Sequence, residues 1–370
     1  MPDLLQRLTQ DGPKRILSID GGGIRGALAL GFLARLETLL RERHGNQAAF
    51  RLSDYFDLIG GTSTGAIIAT CLSLGMSVKE VRTLYTQLGG AIFGKKMPWF
   101  QRWRAKFSPQ ALESALHRTL KDRTLSSSEL LTGLCIVTKR ADTGSTWPLL
   151  NHPNGAFYER NKGILLRQAV RASAAAPTYF HPEQVEVGRG EFGAFVDGGV
   201  SMYNNPALLL FLIATLKGYP FHWQTGEDQL LLVSVGTGIS APRFSIKQVM
   251  NNRMWNWARQ VPDMLMRDAS AQSHLLLQYL SRSPTRSVID LEVNNMQHDL
   301  LGGVPQLSYL RYNIGLETNQ LQHLGITGAD VGALGEMSDA RNITMLETIG
   351  QRAAAQLMHE AHFSAHFDLN

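Results

Sequence analysis

The sequence RILSIDGGGIRG occupies residues 15–26, and DLIGGTSTGAIIATCL follows at residues 57–72. In each stretch, a short apolar run typical of a buried strand leads into a glycine-rich turn and then into an apolar helical pattern. Strands that alternate with helices in this way indicate a largely parallel central sheet covered by helices on both faces, with functional residues at the carboxyl ends of its strands. The expected fold class is therefore α/β.

The second turn, Gly61-Thr62-Ser63-Thr64-Gly65, has the spacing of a nucleophile elbow. A serine at the tip of a strand-to-helix turn has a strained backbone, and glycines two positions before and after it relieve the crowding. We therefore predict that Ser63 is a catalytic nucleophile, supported by Gly61, Thr64 and Gly65. A purely structural turn serine is the alternative.

The first turn contains the spacing G-x-G-x-x-G, which is also found in dinucleotide-binding proteins. That interpretation expects an acidic residue about 20 residues further on, at the end of the second strand. Glu37 and Glu42 lie near that distance but inside the predicted helix. An oxyanion hole is the better explanation, because consecutive glycine amides at a helix N-terminus donate in one direction. The candidate residues are Gly21, Gly22, Gly23, Ile24, Arg25 and Gly26.

A third glycine-rich turn, Asp197-Gly198-Gly199, follows another apolar run. An aspartate at the end of a strand is often only a helix cap or a turn former. On the residues alone, this simpler interpretation of Asp197 is favoured.

Taken together, these turns resemble the three signatures of the patatin-like phospholipases. Further stretches that are similar to this family lie at residues 171–180, 204–207 and 231–238. The resemblance extends over residues 14–240, which it identifies as a patatin-like catalytic core.

The resemblance implies a three-layer patatin-like fold and a serine-aspartate dyad, with Ser63 as nucleophile and Asp197 as its general base. Gly198 and Gly199 would support the dyad loop. It further implies a phospholipase that hydrolyses acyl esters of membrane phospholipids and needs no metal and no cofactor. An aspartate that works without a histidine would benefit from burial, which raises the pKa of a carboxyl group.

A rival arrangement is the Ser-Asp-His triad of α/β-hydrolases, with His222, His274 or His298 as the third member. That fold places several strands before its elbow, whereas only about two fit upstream of Ser63. His181 precedes Asp197 in the sequence and is better explained as a packing or loop residue.

The composition is that of an ordinary globular protein, with 44% hydrophobic and 18% charged residues and a formal net charge of +5. The first residues lack the apolar core of a signal peptide, and the longest apolar stretch, Ala207 to Leu216, is too short to span a bilayer. Cys71 and Cys135 lie in apolar segments and do not suggest a disulfide framework. We expect a cytoplasmic protein that associates peripherally with the inner membrane face.

The region between Gly89 and Ala111 mixes basic and aromatic residues and has no acidic residue. Such a mixture suits a membrane interface or an effector contact. An inter-helix loop with its aromatic rings packed inward is the alternative. The candidate contact residues are Lys95, Lys96, Trp99, Arg102, Trp103, Arg104 and Lys106.

Residues 241–370 are expected to form a mostly helical C-terminal extension, packed on the core and suited to regulation. Residues 287–293 have the pattern of a strand, and Pro284 precedes them as a break. His359, His362 and His366 have spacings that place them on one helical face, but they lack the H-E-x-x-H order, and no metal site is predicted there.

The start of the chain also resembles the bacterial anti-phage effector phospholipases of the CapV type. This resemblance implies a cyclic dinucleotide activator and a role in antiviral defence. A homo-oligomer is compatible with the sequence, and no nucleic-acid polymer is expected as a partner. The alternatives are a constitutive lipid acyl hydrolase, an acyltransferase on the same fold, and a non-catalytic lipid-binding protein.

Overall fold

The computed structural model describes residues 3–93, 109–188, 190–240 and 244–369. Strands within these ranges join into one mixed sheet. They are β1 (Lys14–Ile19), β2 (Leu58–Thr62), β3 (Gly133–Arg140), β4 (Ser145–Leu150), β5 (Glu183–Glu186), β6 (Phe192–Asp197), β7 (Leu230–Val235), β8 (Ser281–Arg282) and β9 (Leu307–Tyr312).

The strand order is β5-β6-β3-β2-β1-β7-β9-β8, with β4 paired to β3. Parallel pairing runs without interruption from β3 through β2, β1, β7 and β9 to β8. β4 and β6 pair with β3, and β5 with β6, in antiparallel fashion. The predicted α/β class is confirmed, and the apolar runs before the first two glycine-rich turns form β1 and β2.

Helices cover both faces of this sheet. They are α1 (Leu4–Thr9), α2 (Gly26–Arg43), α3 (Leu52–Tyr55), α4 (Thr64–Ser73), α5 (Val78–Phe93), α6 (Pro109–Leu120), α7 (Tyr158–Asn161), α8 (Leu166–Ser173), α9 (Ala207–Thr215), α10 (Ile246–Met250), α11 (Met254–Leu280), α12 (Thr318–His323), α13 (Val331–Gly335) and α14 (Ile343–Leu357).

Successive residues of the central strands point to opposite faces, so the sheet separates two hydrophobic cores. Leu17 and Ile19 of β1 belong to the core that holds α2, α4, α5, α8 and α14. Ile16 belongs to the opposite core, which includes α9 and Leu277 of α11. Burial of the strands on both faces explains their nearly continuous apolar sequence. Among the helices that the structure describes, none is both long and apolar enough to cross a bilayer.

The part of the chain after residue 240 contributes to the same sheet and core. It supplies β8 and β9, and its helix α14 packs against α2. The two helix backbones approach closely at glycines, since a Cβ on Gly31 would lie 2.8 Å from the Gly350 Cα. The division of the chain at residue 240 stays a prediction.

The strand predicted at residues 287–293 is wrong. A turn closed by a bridge between Asp290 and Asn294 occupies this region. The Asp290 Oδ1 accepts hydrogen bonds from the N–H groups of Glu292 and Val293, and Leu291 is fully exposed. A side chain that bonds its own backbone favours a turn over a strand.

The histidine spacing near the end of the chain does not correspond to one helical face. Helix α14 ends at Leu357, and two short 3₁₀ turns follow it. His362 Nδ1 lies 3.0 Å from the Tyr312 hydroxyl, and His366 Nε2 lies 3.5 Å from an Asp228 oxygen. The described residues contain no group of three or more His, Cys, Asp or Glu that could hold a metal ion.

Candidate active site

The register of the sheet brings residues 63 and 197 to the same level. Thr62, the last residue of β2, pairs with Val137 of β3. The next residue of β3, Thr138, pairs with Asp197 at the end of β6. Ser63 follows Thr62 directly, so both side chains lie at the carboxyl end of β2, where ligand sites of parallel sheets are found.

The backbone of Ser63 has the strained geometry of an elbow. Its φ is 57° and its ψ −123°, a conformation that non-glycine residues rarely adopt. Neither Gly61 nor Gly65 has room for a side chain, because a Cβ would collide with the Gly65 or the Ile19 backbone respectively. Thr64 begins the buried helix α4, so the turn passes directly from strand to helix.

The main chain of the elbow is held by a serine of α8. The Ser63 N–H donates to the Ser173 Oγ at 2.8 Å, and that hydroxyl donates to the Val137 carbonyl at 2.6 Å. Ser173 lies in a segment that resembles the patatin-like family, but no sequence pattern indicated this contact. It fixes the serine turn to β3, the strand next to Asp197.

The Ser63 Oγ donates a hydrogen bond to the Asp197 Oδ2 at 2.6 Å. The other carboxylate oxygen accepts the Gly199 N–H at 2.7 Å, and a Cβ on Gly198 would collide with the Val137 carbonyl. Asp197 is 5% exposed, and burial raises its pKa to about 6, although the hydrogen bonds from Ser63 and Gly199 act in the opposite direction. A buried carboxylate of this kind can accept a proton near neutral pH.

No histidine in the described part of the chain forms a hydrogen bond with the side chain of Ser63 or Asp197. His222 Nε2 contacts the Lys217 carbonyl at 3.2 Å, and His274 contacts the Ser287 and Tyr309 hydroxyls. Burial lowers the pKa of His274 to about 3. The described hydrogen bonds of the Asp197 carboxylate come from Ser63 and Gly199 alone, which argues against the triad.

The glycine-rich loop after β1 lies next to Ser63, since a Cβ on Gly21 would be 3.3 Å from the Ser63 Cβ. Most of its N–H groups are already used. Gly21 donates to the Asn204 carbonyl at 2.9 Å, Ile24 donates to the Met337 carbonyl at 2.8 Å, and the N–H groups of Arg25 and Gly26 donate within the loop. Those of Gly22 and Gly23 donate to no residue that the structure describes.

The carbonyl groups of the loop are held from outside. The Thr237 hydroxyl donates to the Gly21 carbonyl at 2.8 Å, and the Tyr85 hydroxyl donates to the Gly23 carbonyl. Because a peptide group is planar, a fixed carbonyl also fixes the N–H of the next residue. The loop is therefore rigid and leaves two adjacent amide donors.

Arg25 is deeply placed, and its Nε has no hydrogen-bond partner in the described part of the chain. Burial lowers its pKa, and the charges acting on it include Asp263 and Arg267 of α11. The side chain of Arg25 therefore lies near the first half of α11.

Arg311, which the sequence did not single out, holds the start of the loop. Its guanidinium donates to the two Asp20 carboxylate oxygens at 2.9 and 2.6 Å and to the Ser234 Oγ at 2.7 Å. Burial lowers the pKa of Arg311, but the Asp20 carboxylate more than offsets this effect, so the net shift is upward. A single arginine within the apolar sequence of β9 is the only signal that could have indicated this pair.

The reacting groups are covered. Ser63 is 8% exposed, and the segment that contains Met337 closes over the loop, where its carbonyl accepts the Ile24 N–H. The predicted contact residues Lys95, Lys96, Trp99, Arg102, Trp103, Arg104 and Lys106 lie outside the described residues.

The chain is similar to known proteins of one family. The family model for patatin-like phospholipases matches residues 17–211. A cGAMP-activated phospholipase of Vibrio cholerae is 34% identical over 204 residues, which are 53% of this chain and 56% of that protein. One of Escherichia coli is 29% identical over 232 residues, 61% of this chain and 63% of the relative. Patatin-07 of Solanum tuberosum is 28% identical over 288 residues, 72% and 71% of the two chains.

The chain therefore spans less than two thirds of the length of the two bacterial relatives. The matched residues 17–211 include the serine elbow, the glycine-rich loop and Asp197. They make up more than half of the sequence. The chain belongs to the patatin-like phospholipase family.

Proposed function

We propose that this protein is a serine lipid acyl hydrolase that cleaves acyl esters of membrane phospholipids through a Ser63–Asp197 dyad. The observation that carries the proposal is the 2.6 Å hydrogen bond from the Ser63 Oγ to the buried Asp197 carboxylate. A nucleophile bonded directly to its general base is the arrangement needed for acyl-enzyme formation. Membership of the family supports the phospholipid substrate.

In the first step, Asp197 takes the proton of the Ser63 hydroxyl while the Oγ attacks the ester carbonyl. The oxygen of the tetrahedral intermediate becomes negative and receives hydrogen bonds from the free Gly22 and Gly23 amides. Of the six residues 21–26 predicted to form the oxyanion hole, we therefore assign the donor role to Gly22 and Gly23. The protonated Asp197 then gives its proton to the leaving alcohol, and the acyl chain stays on Ser63.

In the second step, Asp197 removes a proton from water, which attacks the acyl-enzyme. The fatty acid leaves, and the proton returns to the Ser63 Oγ. Because the same carboxyl group accepts and donates a proton in each step, a pKa near the working pH is favourable. Burial of Asp197, which raises its pKa to about 6, supports this role.

We further propose that a cyclic dinucleotide activates the protein, in an anti-phage response at the membrane. The names of the two bacterial relatives, both cGAMP-activated phospholipases, support this part of the proposal. Ser63 is only 8% exposed, which also supports an inactive resting state in which the activator must open access to the site. A constitutive hydrolase is the alternative.

The experiment is a fatty-acid release assay on phospholipid vesicles, with and without cGAMP and other cyclic dinucleotides. We expect Ser63→Ala to lower the rate at least about 10³-fold, while the exposed Ser145→Ala serves as the matched control. A fluorophosphonate probe should label wild type but not Ser63→Ala. Unlabelled wild type with no release under any condition would favour a lipid-binding protein. Transfer of the chain to a carrier thiol instead of water would favour an acyltransferase.

A further inference from the structure

An unusual apolar surface lies on α10 and on the first half of α11. Its most exposed members are between 42% and 84% exposed. Large apolar side chains are seldom this accessible in such density unless the surface has a partner. We call this surface the α10–α11 face and define it by Ile246, Met250, Met254, Trp255, Val261 and Leu265.

The first half of α11 is amphipathic, and its apolar side is exposed. Met254, Val261 and Leu265 recur at spacings of seven and four residues, which align them on one side of the helix. Asp263 and Arg267 lie on the opposite side, and their charges act on Arg25 in the glycine-rich loop. Asp263 is itself exposed, so this segment is accessible on both sides, and its apolar side lies open to solvent.

The part of this face at residues 246–255 carries positive charge. It contains basic residues and no acidic residue. Basic side chains next to exposed tryptophan and aliphatic residues are typical of segments that lie in the interface of an anionic bilayer. The basic residues of this segment are Lys247 and Arg253, and both are exposed.

Helix α11 also contacts the loop that follows Asp197. Helix α11 packs beside the turn Gly198–Val200, which directly follows Asp197. Val200 and Met202 of this loop are themselves at least half exposed, at 50% and 62%. Val200 and Met202 thus add exposed apolar surface beside α11.

We propose that the α10–α11 face docks on the surface of an anionic phospholipid bilayer and holds the Ser63 site against it. For its substrate, this inference rests on the proposed function. A second copy of the chain is the competing occupant, but a symmetric pair would bring Lys247 and Arg253 of both copies into one interface. The bilayer provides the opposite charge together with an apolar layer.

The test measures binding of the Ser63→Ala protein to sedimented vesicles, so that hydrolysis cannot alter the membrane. Vesicles of phosphatidylglycerol and phosphatidylcholine are compared with vesicles of phosphatidylcholine alone. We expect stronger binding to the anionic vesicles, weakened by 1 M salt. In this background, Met254→Gln with Leu265→Gln should lower the partition coefficient at least about tenfold, because two large apolar side chains lose their burial.

The matched control is Val288→Gln with Leu291→Gln, two apolar residues that are equally exposed outside this face. Equal binding by the two double variants would overturn the proposal. A change in oligomeric state of the Met254 and Leu265 variant by analytical ultracentrifugation, with vesicle binding unchanged, would assign the face to a second copy.

Activity separates this inference from the proposed function. With the native Ser63, the Met254 and Leu265 variant should hydrolyse a soluble short-chain ester at the wild-type rate and lose vesicle hydrolysis. If the wild type binds vesicles but hydrolyses neither substrate, the proposed function is contradicted and the docking proposal is not. Normal vesicle hydrolysis by the variant would contradict the docking proposal alone.

Discussion

At the scale of single residues, Asp197 combines a functional advantage with a cost in stability. The carboxyl group is 5% exposed and has two described hydrogen-bond donors, Ser63 and Gly199. Burial disfavours its charged form and raises its pKa to about 6 from an ordinary value of 3.8. The folded protein therefore binds a proton more readily than the unfolded chain between these two values.

The first prediction concerns Asp197→Asn. An amide of the same size cannot accept the Ser63 proton, so we expect fatty-acid release to fall at least about 10³-fold. The variant should be more stable than wild type at pH 8, by about 3 kcal/mol at most, since it avoids burial of a charge. Because burial raises the pKa of Asp197, its ionisation lowers the free energy of unfolding as pH rises from about 4 to 6.

This stability difference is measured by urea denaturation at pH 5 and pH 8. We expect the advantage of the asparagine variant to be smaller at pH 5, where the folded wild type holds the proton. A less stable variant at pH 8, or an active one, would contradict the assigned role.

The second prediction is the pH dependence of kcat/KM for a soluble ester that does not titrate. The base must be ionised in the free enzyme, so kcat/KM should rise tenfold per pH unit below about pH 6 and level off above it. Stopped assays between pH 4.5 and 8 measure this profile. Activity that is already at its plateau at pH 5 would show that Asp197 does not act with a raised pKa.

At the scale of elements, the glycine-rich loop is held in place by hydrogen bonds from distant parts of the chain. Thr237 follows β7, and Tyr85 belongs to α5, yet both bond carbonyl groups of the loop. Met337 accepts the Ile24 N–H from a third direction. These contacts select which amides remain free.

The third prediction tests this selection with Gly22→Ala. A Cβ on Gly22 would lie 2.6 Å from the Thr237 Cβ, so the loop must shift. Displacement of one oxyanion donor should lower kcat about 10² to 10³-fold with a smaller change in KM. Steady-state kinetics on the soluble ester provide the measurement.

The control is Gly163→Ala, where a Cβ has no neighbour within 4 Å. It should retain wild-type kinetics. Similar kinetics for the two variants would mean that the Gly22 amide is not an oxyanion donor.

Sequence patterns predicted these elements where the signal is local. The apolar run and glycines around Ser63 specify a strand, a turn and a helix within 16 residues, and all three are present. Residues 287–293 show the limit, because Asp290 bonds its own backbone and no sheet edge meets the apolar side chains. The same limit applies to α11, whose apolar spacing did not reveal that this side faces solvent.

At the scale of the whole molecule, residues far apart in sequence share one layer of the site. Arg311 of β9 reaches Asp20 across β7, and α14 packs on α2. A pattern within a short window cannot reveal a partner that is 291 residues away. The turn around Ser63 is a local signal and Asp197 was singled out through the family resemblance, whereas no sequence pattern pairs Arg311 with Asp20.

The last prediction concerns this pair. Arg311→Met leaves the Asp20 carboxylate buried without its cation, which should cost about 3 to 5 kcal/mol in the free energy of unfolding. The double variant Asp20→Asn with Arg311→Met should recover much of this loss, because neither side then carries an unpaired charge. The control is Arg341→Met, since its pair with Asp339 has the same N–O distance of 2.6 Å but lies on an exposed arginine. Urea denaturation at pH 7 should show no measurable effect for that control. Two outcomes would contradict this explanation. One is an equal loss of unfolding free energy in the two single variants, and the other is a double variant as unstable as Arg311→Met. Either would show that Arg311 does not stabilise the fold by neutralising the buried Asp20 charge.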